Sequence, residues 1–266
     1  MDAVRALEPF PDGPFAVDSG QARFVHFGDT MTLYINGLPS SQWSLDHPED
    51  LEFEYMRWML AATEAVFAPD AALRALHLGA AACALPRAIV HAFPASRHLA
   101  VESDRALAAA VRRHVALPRS PVLRIRVDDA VHVLAARPAG SHDLIVRDAF
   151  DPDGLVPPGL ADGEAALAAA RALRPDGLYL ANCGDLVGMP RSRAEHKALT
   201  RAFAYVALIT EPAQLRGRRL GNVVLLARHQ ALTPPQEADL ERRLRAGGFP
   251  ARLLGAAEAR RWSGHP

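Results

Sequence analysis

Between Leu73 and Asp104 the chain reads LRALHLGAAACALPRAIVHAFPASRHLAVESD: a short apolar strand, a turn of small residues, a helix, and a second apolar strand ending in acids. Few folds accept that order. Two strands joined by a crossover helix lie parallel, and a parallel sheet must be covered on both faces. In the turn Gly79-Ala80-Ala81-Ala82-Cys83 no bulky side chain separates a ligand from the backbone N–H groups at the helix start. Glu102 lies 23 residues after Gly79, at the carboxyl end of the second strand, where an acid can accept both hydroxyls of a ribose. The three glycines of a dinucleotide fingerprint are absent. A nucleotide-like cofactor site and a ligand-free helix on a sheet therefore both remain open.

The alternation continues. Strands are predicted at Leu73–Leu78, His98–Val101, Leu123–Val127, Leu144–Val146, Leu178–Ala181, Tyr205–Thr210 and Asn222–Ala227. Helices fit at Leu85–Ala92, Asp104–Arg113, Ala130–Ala135, Gly163–Ala172 and Arg191–Phe203, with a further amphipathic helix from Pro234 to Arg245. The last two strands are joined by a polar stretch, Glu211 to Gly221, too short for a crossover helix, so they should pair antiparallel. Five parallel strands followed by such a hairpin is the plan of the S-adenosylmethionine-dependent transferases. The expected fold is α/β, a methyltransferase-like (Rossmann-type) mostly parallel sheet with a terminal antiparallel hairpin over residues 51–266. A small N-terminal β domain, residues 1–50, precedes it. There Ala22–Phe27 and Met31–Ile35, separated by Gly28-Asp29 and followed by Asn36-Gly37, both turn dipeptides, read as a β-hairpin or small meander. A helix is expected from Leu51 to Phe67, stopped by Pro69.

Thirty basic and thirty acidic residues cancel, and no basic block suggests nucleic acid or an anionic membrane as partner. No apolar run approaches the roughly 20 residues of a membrane span. Asp2, Glu8 and the early prolines do not make a signal peptide, and the two cysteines form no C-x-x-C pair, so a reducing cytoplasm is expected. The histidines show no metal-ligand spacing, so no metal is expected.

Acids gather where strands end: Glu102 and Asp104, then Asp128 and Asp129, then Asp148, Asp151 and Asp153. In open parallel sheets the ligand lies outside those ends. A single acid there is often a helix cap. A cluster repels itself unless a cation or a hydrogen-bond network satisfies it, which points to a positively charged substrate.

Several stretches together resemble the spermidine synthase (polyamine aminopropyltransferase) family, in its spermidine synthase-like actinobacterial branch, from about Leu33 onward. They are Tyr34-Ile35-Asn36-Gly37 with Ser41-Gln42, then Glu52-Phe53-Glu54-Tyr55, Leu78-Gly79, Leu85-Pro86-Arg87 and Val101-Glu102-Ser103-Asp104. Val127-Asp128-Asp129-Ala130, Asp143 to Pro152 and Leu173-Arg174-Pro175-Asp176-Gly177 continue the series. The resemblance implies decarboxylated S-adenosylmethionine as aminopropyl donor and a small-molecule amine, a polyamine, as acceptor; a homodimer is expected from the exposed edge strands of the small N-terminal β domain. It implies that Gly79 lies beneath the donor, that Glu102 holds its ribose, and that Asp129 or Asp128 reaches the adenine amine, with Gln42 also on the donor side. Asp148 would deprotonate the attacking amine beside Tyr55, and Asp151 would bind an ammonium end of the acceptor.

The chain departs from the family in its glycine-poor loop, in Arg57 where an acid is expected to meet the polyamine, and in Ala149 and Asn36. Arg57 is expected to weaken polyamine binding by repulsion. Three functions stay open: aminopropyl transfer, methyl transfer from intact S-adenosylmethionine, and a non-catalytic nucleoside-binding or oligomerisation role.

Overall fold

The computed structural model describes residues 7–246 and 248–264. Its N-terminal part is a four-stranded antiparallel sheet of β1 (Phe15–Val17), β2 (Gly20–Phe27), β3 (Thr30–Ile35) and β4 (Leu38–Ser44), in that order. Asn36 and Gly37, at φ 51° and 81°, turn β3 into β4, the left-handed pair a tight hairpin demands. The sequence pattern gave β2 and β3. It missed β1, which is very short, and β4, whose Ser40-Ser41-Gln42 lacks apolar alternation.

The second sheet has eight strands. β5 (Arg74–Leu78), β6 (Arg97–Glu102), β7 (Leu123–Val127), β8 (His142–Arg147) and β9 (Leu173–Asp185) are parallel, and β10 (Tyr205–Thr210), β11 (Gly221–Arg228) and β12 (Arg252–Leu254) complete it. The order is β12-β10-β11-β9-β8-β5-β6-β7. β11 pairs antiparallel with both β9 and β10, and β12 adds to the far edge of β10. This is the methyltransferase-like sheet with its terminal hairpin, extended at its edge by β12, which the sequence pattern does not announce.

Both faces are covered. Leu144, Val146, Leu178, Leu180 and Val224 face α1 (Glu54–Val66), α2 (Ala84–Ala92), α3 (Arg105–His114) and α8 (Pro234–Ala246). Leu76, Ile145, Tyr179, Ala181 and Leu225 face α4 (Ala130–Ala135), α5 (Gly163–Ala172), α6 (Pro190–Leu199) and α9 (Ala256–Ser263). Each buried aliphatic side chain contributes about 1.5–3 kcal/mol, and strands buried on both sides read as the continuous apolar runs seen here. The stretch between β10 and β11 holds a four-residue helix, α7 (Pro212–Leu215). Among the described residues no helix is long and apolar enough to cross a membrane.

Two details position the site. The first long helix starts at Glu54 rather than Leu51, because Leu51 is held extended in a bridge to Trp43 of β4. The N-terminal sheet thereby sets where the first turn of α1 sits. Asp104 then ties the two sheets together: it caps α3 through the Leu107 N–H at 2.7 Å and accepts from the Ser19 N–H and Oγ at 2.8 and 2.7 Å. Asp104 is thus a cap and a clasp.

Candidate functional site

The carboxyl ends of β5, β6, β8 and β9 open into a cavity of about 850 Å³, lined on its other side by Leu38 to Ser41 and Phe53 to Met56. β8 and β9 run parallel with Arg147 opposite Ala181, so the next residues, Asp148 and Asn182, emerge side by side. Asn182 Nδ2 donates to Asp148 Oδ1 at 3.1 Å, and Tyr55 Oη, from the first turn of α1, donates to Oδ2 at 3.0 Å. Burial raises the Asp148 pKa above the ordinary carboxylate range, while the bonds from Asn182 and Tyr55 and the charge of Arg147 pull against it. Burial and the neighbouring carboxylate push the Tyr55 phenol well up, which keeps it a donor. A desolvated carboxylate oriented by two donors is suited to accept a proton.

The Arg147 side chain leaves through the opposite face of the sheet. It is fully buried, its Nη2 lies 2.5 Å from both oxygens of Glu195 on α6, and its Nη1 donates to the Asn182 carbonyl. A buried pair of this kind is costly to break from one side, by about 3–5 kcal/mol. It braces the backbone that carries Asn182.

Glu102 anchors the other end of the cavity. Its Oε2 accepts the N–H groups of Ala81 at 3.0 Å and Ala80 at 3.4 Å, and its Oε1 accepts the Asp104 N–H at 3.0 Å. The small-residue turn therefore presents two of its N–H groups to Glu102, where the sequence suggested they would face a ligand. Burial raises the Glu102 pKa and these three bonds oppose the rise. Gly79 is fixed by geometry: at φ +94°, a Cβ there would stand 2.2 Å from the Asp148 carbonyl oxygen. Ala81 and Cys83 hold positive φ, 41° and 59°, without being glycine. The buried Cys83 thiol is pushed up to about 12, chiefly by desolvation, which leaves it unreactive.

Tyr55, Gly79, Glu102, Asp129, Asp148 and Asp151 all line the cavity. Two expected donor-side residues do not. Asp128 Oδ2 is taken by Arg126, whose Nε lies at 2.9 Å, and only Asp129 of the pair reaches the lining. Gln42 sits on β4 opposite Thr32, and the residues of that strand that reach the cavity are Leu38 to Ser41. Asp129 also caps α4 through the Val131 N–H at 2.7 Å. Asp151 uses Oδ1 to accept the N–H groups of Asp153 and Leu155, at 3.0 and 2.8 Å, and so shapes its own loop. Arg57 corrects a further expectation. Its Nε donates to the Leu51 carbonyl, its guanidinium stacks 5.5 Å from the Phe249 ring, and it is not part of the lining, so it does not meet a ligand in the cavity directly.

Sequence reasoning missed Asn182, Asn222 and Glu54, which line the cavity. An asparagine ending the apolar run Leu178–Ala181 was the available signal for the first. The lining also includes His77, whose Nε2 lies 3.0 Å from His98 Nδ1 in a buried stacked pair. Desolvation holds His77 well below its usual pKa and takes His98 down to about 4, so both are neutral near pH 7. In all, six carboxylates line the cavity, with no lysine or arginine among the described residues.

Comparison with known proteins gives the frame. Neither a family model nor a curated protein matches the chain. Among solved structures it is similar to a probable spermidine synthase from Corynebacterium glutamicum, 33% identical with a TM-score of 0.89, over 94% of this chain and 93% of that one. The chain belongs to the spermidine synthase family. A spermidine synthase from Thermotoga maritima shares the fold at 14% identity and a TM-score of 0.63, covering 96% of this chain and 84% of that one. So does human methyltransferase-like protein 13, solved in complex with SAH, at 23% identity and a TM-score of 0.57, over 73% of this chain and 93% of that one. Membership of the spermidine synthase family makes a transferase the frame for the cavity. Among the described residues no group of three or more His, Cys, Asp or Glu could hold a metal ion.

Proposed function

We propose that the protein transfers an aminopropyl group from decarboxylated S-adenosylmethionine to an amine. The observation that carries this reading is the buried Asp148 carboxylate, gripped by Tyr55 and Asn182, in a cavity of six carboxylates without a lysine or arginine among the described residues. A sulfonium donor has a neutral thioether as leaving group, so the site has to align the donor carbon with the nitrogen and keep that nitrogen unprotonated. Asp148 takes the ammonium proton. The nitrogen lone pair forms the new C–N bond, the C–S bond breaks, and sulfur keeps its electrons as methylthioadenosine.

Glu102 holds the ribose hydroxyls with the carboxylate lone pairs its backbone partners leave, and Asp129 meets the adenine amine. The same lining argues against methyl transfer from intact S-adenosylmethionine. That donor carries a carboxylate, which six acids repel and no lining guanidinium or ammonium welcomes. One spermidine synthase of this fold was solved with the transition-state analogue AdoDATO.

A transfer assay over a panel of amines tests the reading, with either donor supplied. Methylthioadenosine should form only when the decarboxylated donor and an amine are both present. Methylated products from intact S-adenosylmethionine, or no product with any amine, would overturn it.

A further inference from the structure

Glu54 lies one residue before Tyr55, in the first turn of α1, and lines the same cavity. Its Oε1 accepts from Asn222 Nδ2 at 2.9 Å, and Asn222 lines the cavity as well. The carboxylate is close enough to Tyr55 to raise the phenol's pKa, after burial and Asp148.

Register gives the arrangement its dimensions. On neighbouring antiparallel strands Asn182 stands opposite Val224 and Asn222 opposite Gly184. The two asparagines are therefore diagonal neighbours on one face of the sheet, roughly 7–8 Å apart. One grips Asp148 and the other grips Glu54. Asn182 is 2% exposed, and its Oδ1 has no hydrogen-bond partner among the described residues. The bond to Asp148 fixes the amide with nitrogen toward the carboxylate, which leaves a buried acceptor lacking a donor. An amine supplies such a donor.

We propose that Glu54, held by Asn222, is a specificity-determining residue that binds a second cationic centre of the acceptor, while Asp148 and Asn182 receive its reacting nitrogen. The assignment rests on the aminopropyl-transfer reading for its direction, but it concerns recognition and can be read by binding alone. Asp151, expected from sequence to take this role, has Oδ1 engaged with two backbone N–H groups of its own loop. Arg57, which would oppose it, points elsewhere. Two carboxylates in one cavity, each gripped by an asparagine on the same face of the sheet, suit an acceptor with two cationic ends, such as an α,ω-diamine.

Calorimetry on the full chain saturated with methylthioadenosine tests this with two probes, 1,4-diaminobutane and 1-aminobutane. The diamine should bind the wild type at least tenfold more tightly than the monoamine, and Glu54→Gln should remove most of that advantage. Glu54→Asp, one methylene shorter, should move the preference toward 1,5-diaminopentane. Equal binding of diamine and monoamine by the wild type, or a diamine preference that survives Glu54→Gln, would overturn the role of Glu54. A diamine preference that depends on Glu54 in a protein that transfers nothing would uphold it and sink the reaction instead.

Discussion

On the Glu102 side of the cavity the architecture is backbone: three N–H groups, from Ala80, Ala81 and Asp104, converge on one carboxylate within a span of 25 residues. On the Asp148 side it is side chains: Tyr55 Oη and Asn182 Nδ2 reach the carboxylate from 93 and 34 residues away. The first side is held by a strand, a turn and a helix that follow one another directly. The second exists only once β8, β9 and α1 have docked. Gly79 joins the two, since its missing side chain lets the Asp148 carbonyl approach. A loop with alanine in place of glycine thus keeps its shape at the one position where contact with the other side forbids a methyl group.

If the two sides divide the work as their construction suggests, the largest effect belongs to Asp148. Asp148→Asn should lower kcat by roughly 10²–10⁴, the usual contribution of a general base. Nucleoside binding on the Glu102 side should stay within twofold. Because burial raises the Asp148 pKa, the acid limb of kcat/KM should lie above the ordinary aspartate value near 3.9. Activity falls as pH drops through that limb, since the protonated acid can no longer take the amine's proton. Wild-type rates in single-turnover measurements of Asp148→Asn would remove the distinction between the sides.

Glu102→Gln comes next and sharpens the contrast. Sequence alone presents Glu102 only as a ribose ligand. The hydrogen bonds say otherwise, because a glutamine amide nitrogen would face an N–H group where Oε1 or Oε2 now accepts one. Loss of hydrogen bonds to a charged acceptor costs about 1.5–3 kcal/mol. That loss should appear in both methylthioadenosine affinity by calorimetry and thermal stability. A variant that binds weakly with an unchanged melting temperature would mean that the backbone bonds do not depend on the charge.

The same division explains what could be read in advance. The parallel sheet, its terminal hairpin, Gly79 and Glu102 follow from local apolar runs and short spacings, which sequence displays directly. Asp148 was visible as an acid at a strand end. Its partner Asn182 depends on the register between β8 and β9, and Glu54 depends on α1 starting at residue 54 because Leu51 is tied to Trp43. Asp128 and Asp129 are adjacent and chemically alike, so only the backbone direction entering α4 decides that Arg126 takes the first and the cavity the second. Arg57 shows the converse error. The family resemblance put it beside the acceptor, but its direction is set by the Leu51 carbonyl and Phe249, contacts that no local pattern encodes.

The smallest effect tests whether the alanines of the Gly79–Cys83 turn are a tolerated departure from glycine or an adaptation. Ala81 holds φ 41°, a conformation that costs an L-residue about 1–2 kcal/mol. Glycine there would relieve that strain, but it gains unfolded-state freedom worth about 0.4–1 kcal/mol. The net expectation for Ala81→Gly is a stabilisation of about 0.5–1 kcal/mol, or roughly 2 °C in Tm. The Ala81 N–H stays in place for Glu102, so nucleoside affinity should hold or improve as the methyl group leaves the cavity wall. Ala82 is the control: fully buried in the core and free of a left-handed backbone, it should lose about 1 kcal/mol on change to glycine. Differential scanning calorimetry of both variants decides the point. A fall in Tm for Ala81→Gly equal to that for Ala82→Gly would show that the Ala81 methyl group contributes packing that outweighs its strain. The alanines of this turn would then be part of how the donor side is built rather than a tolerated departure from glycine.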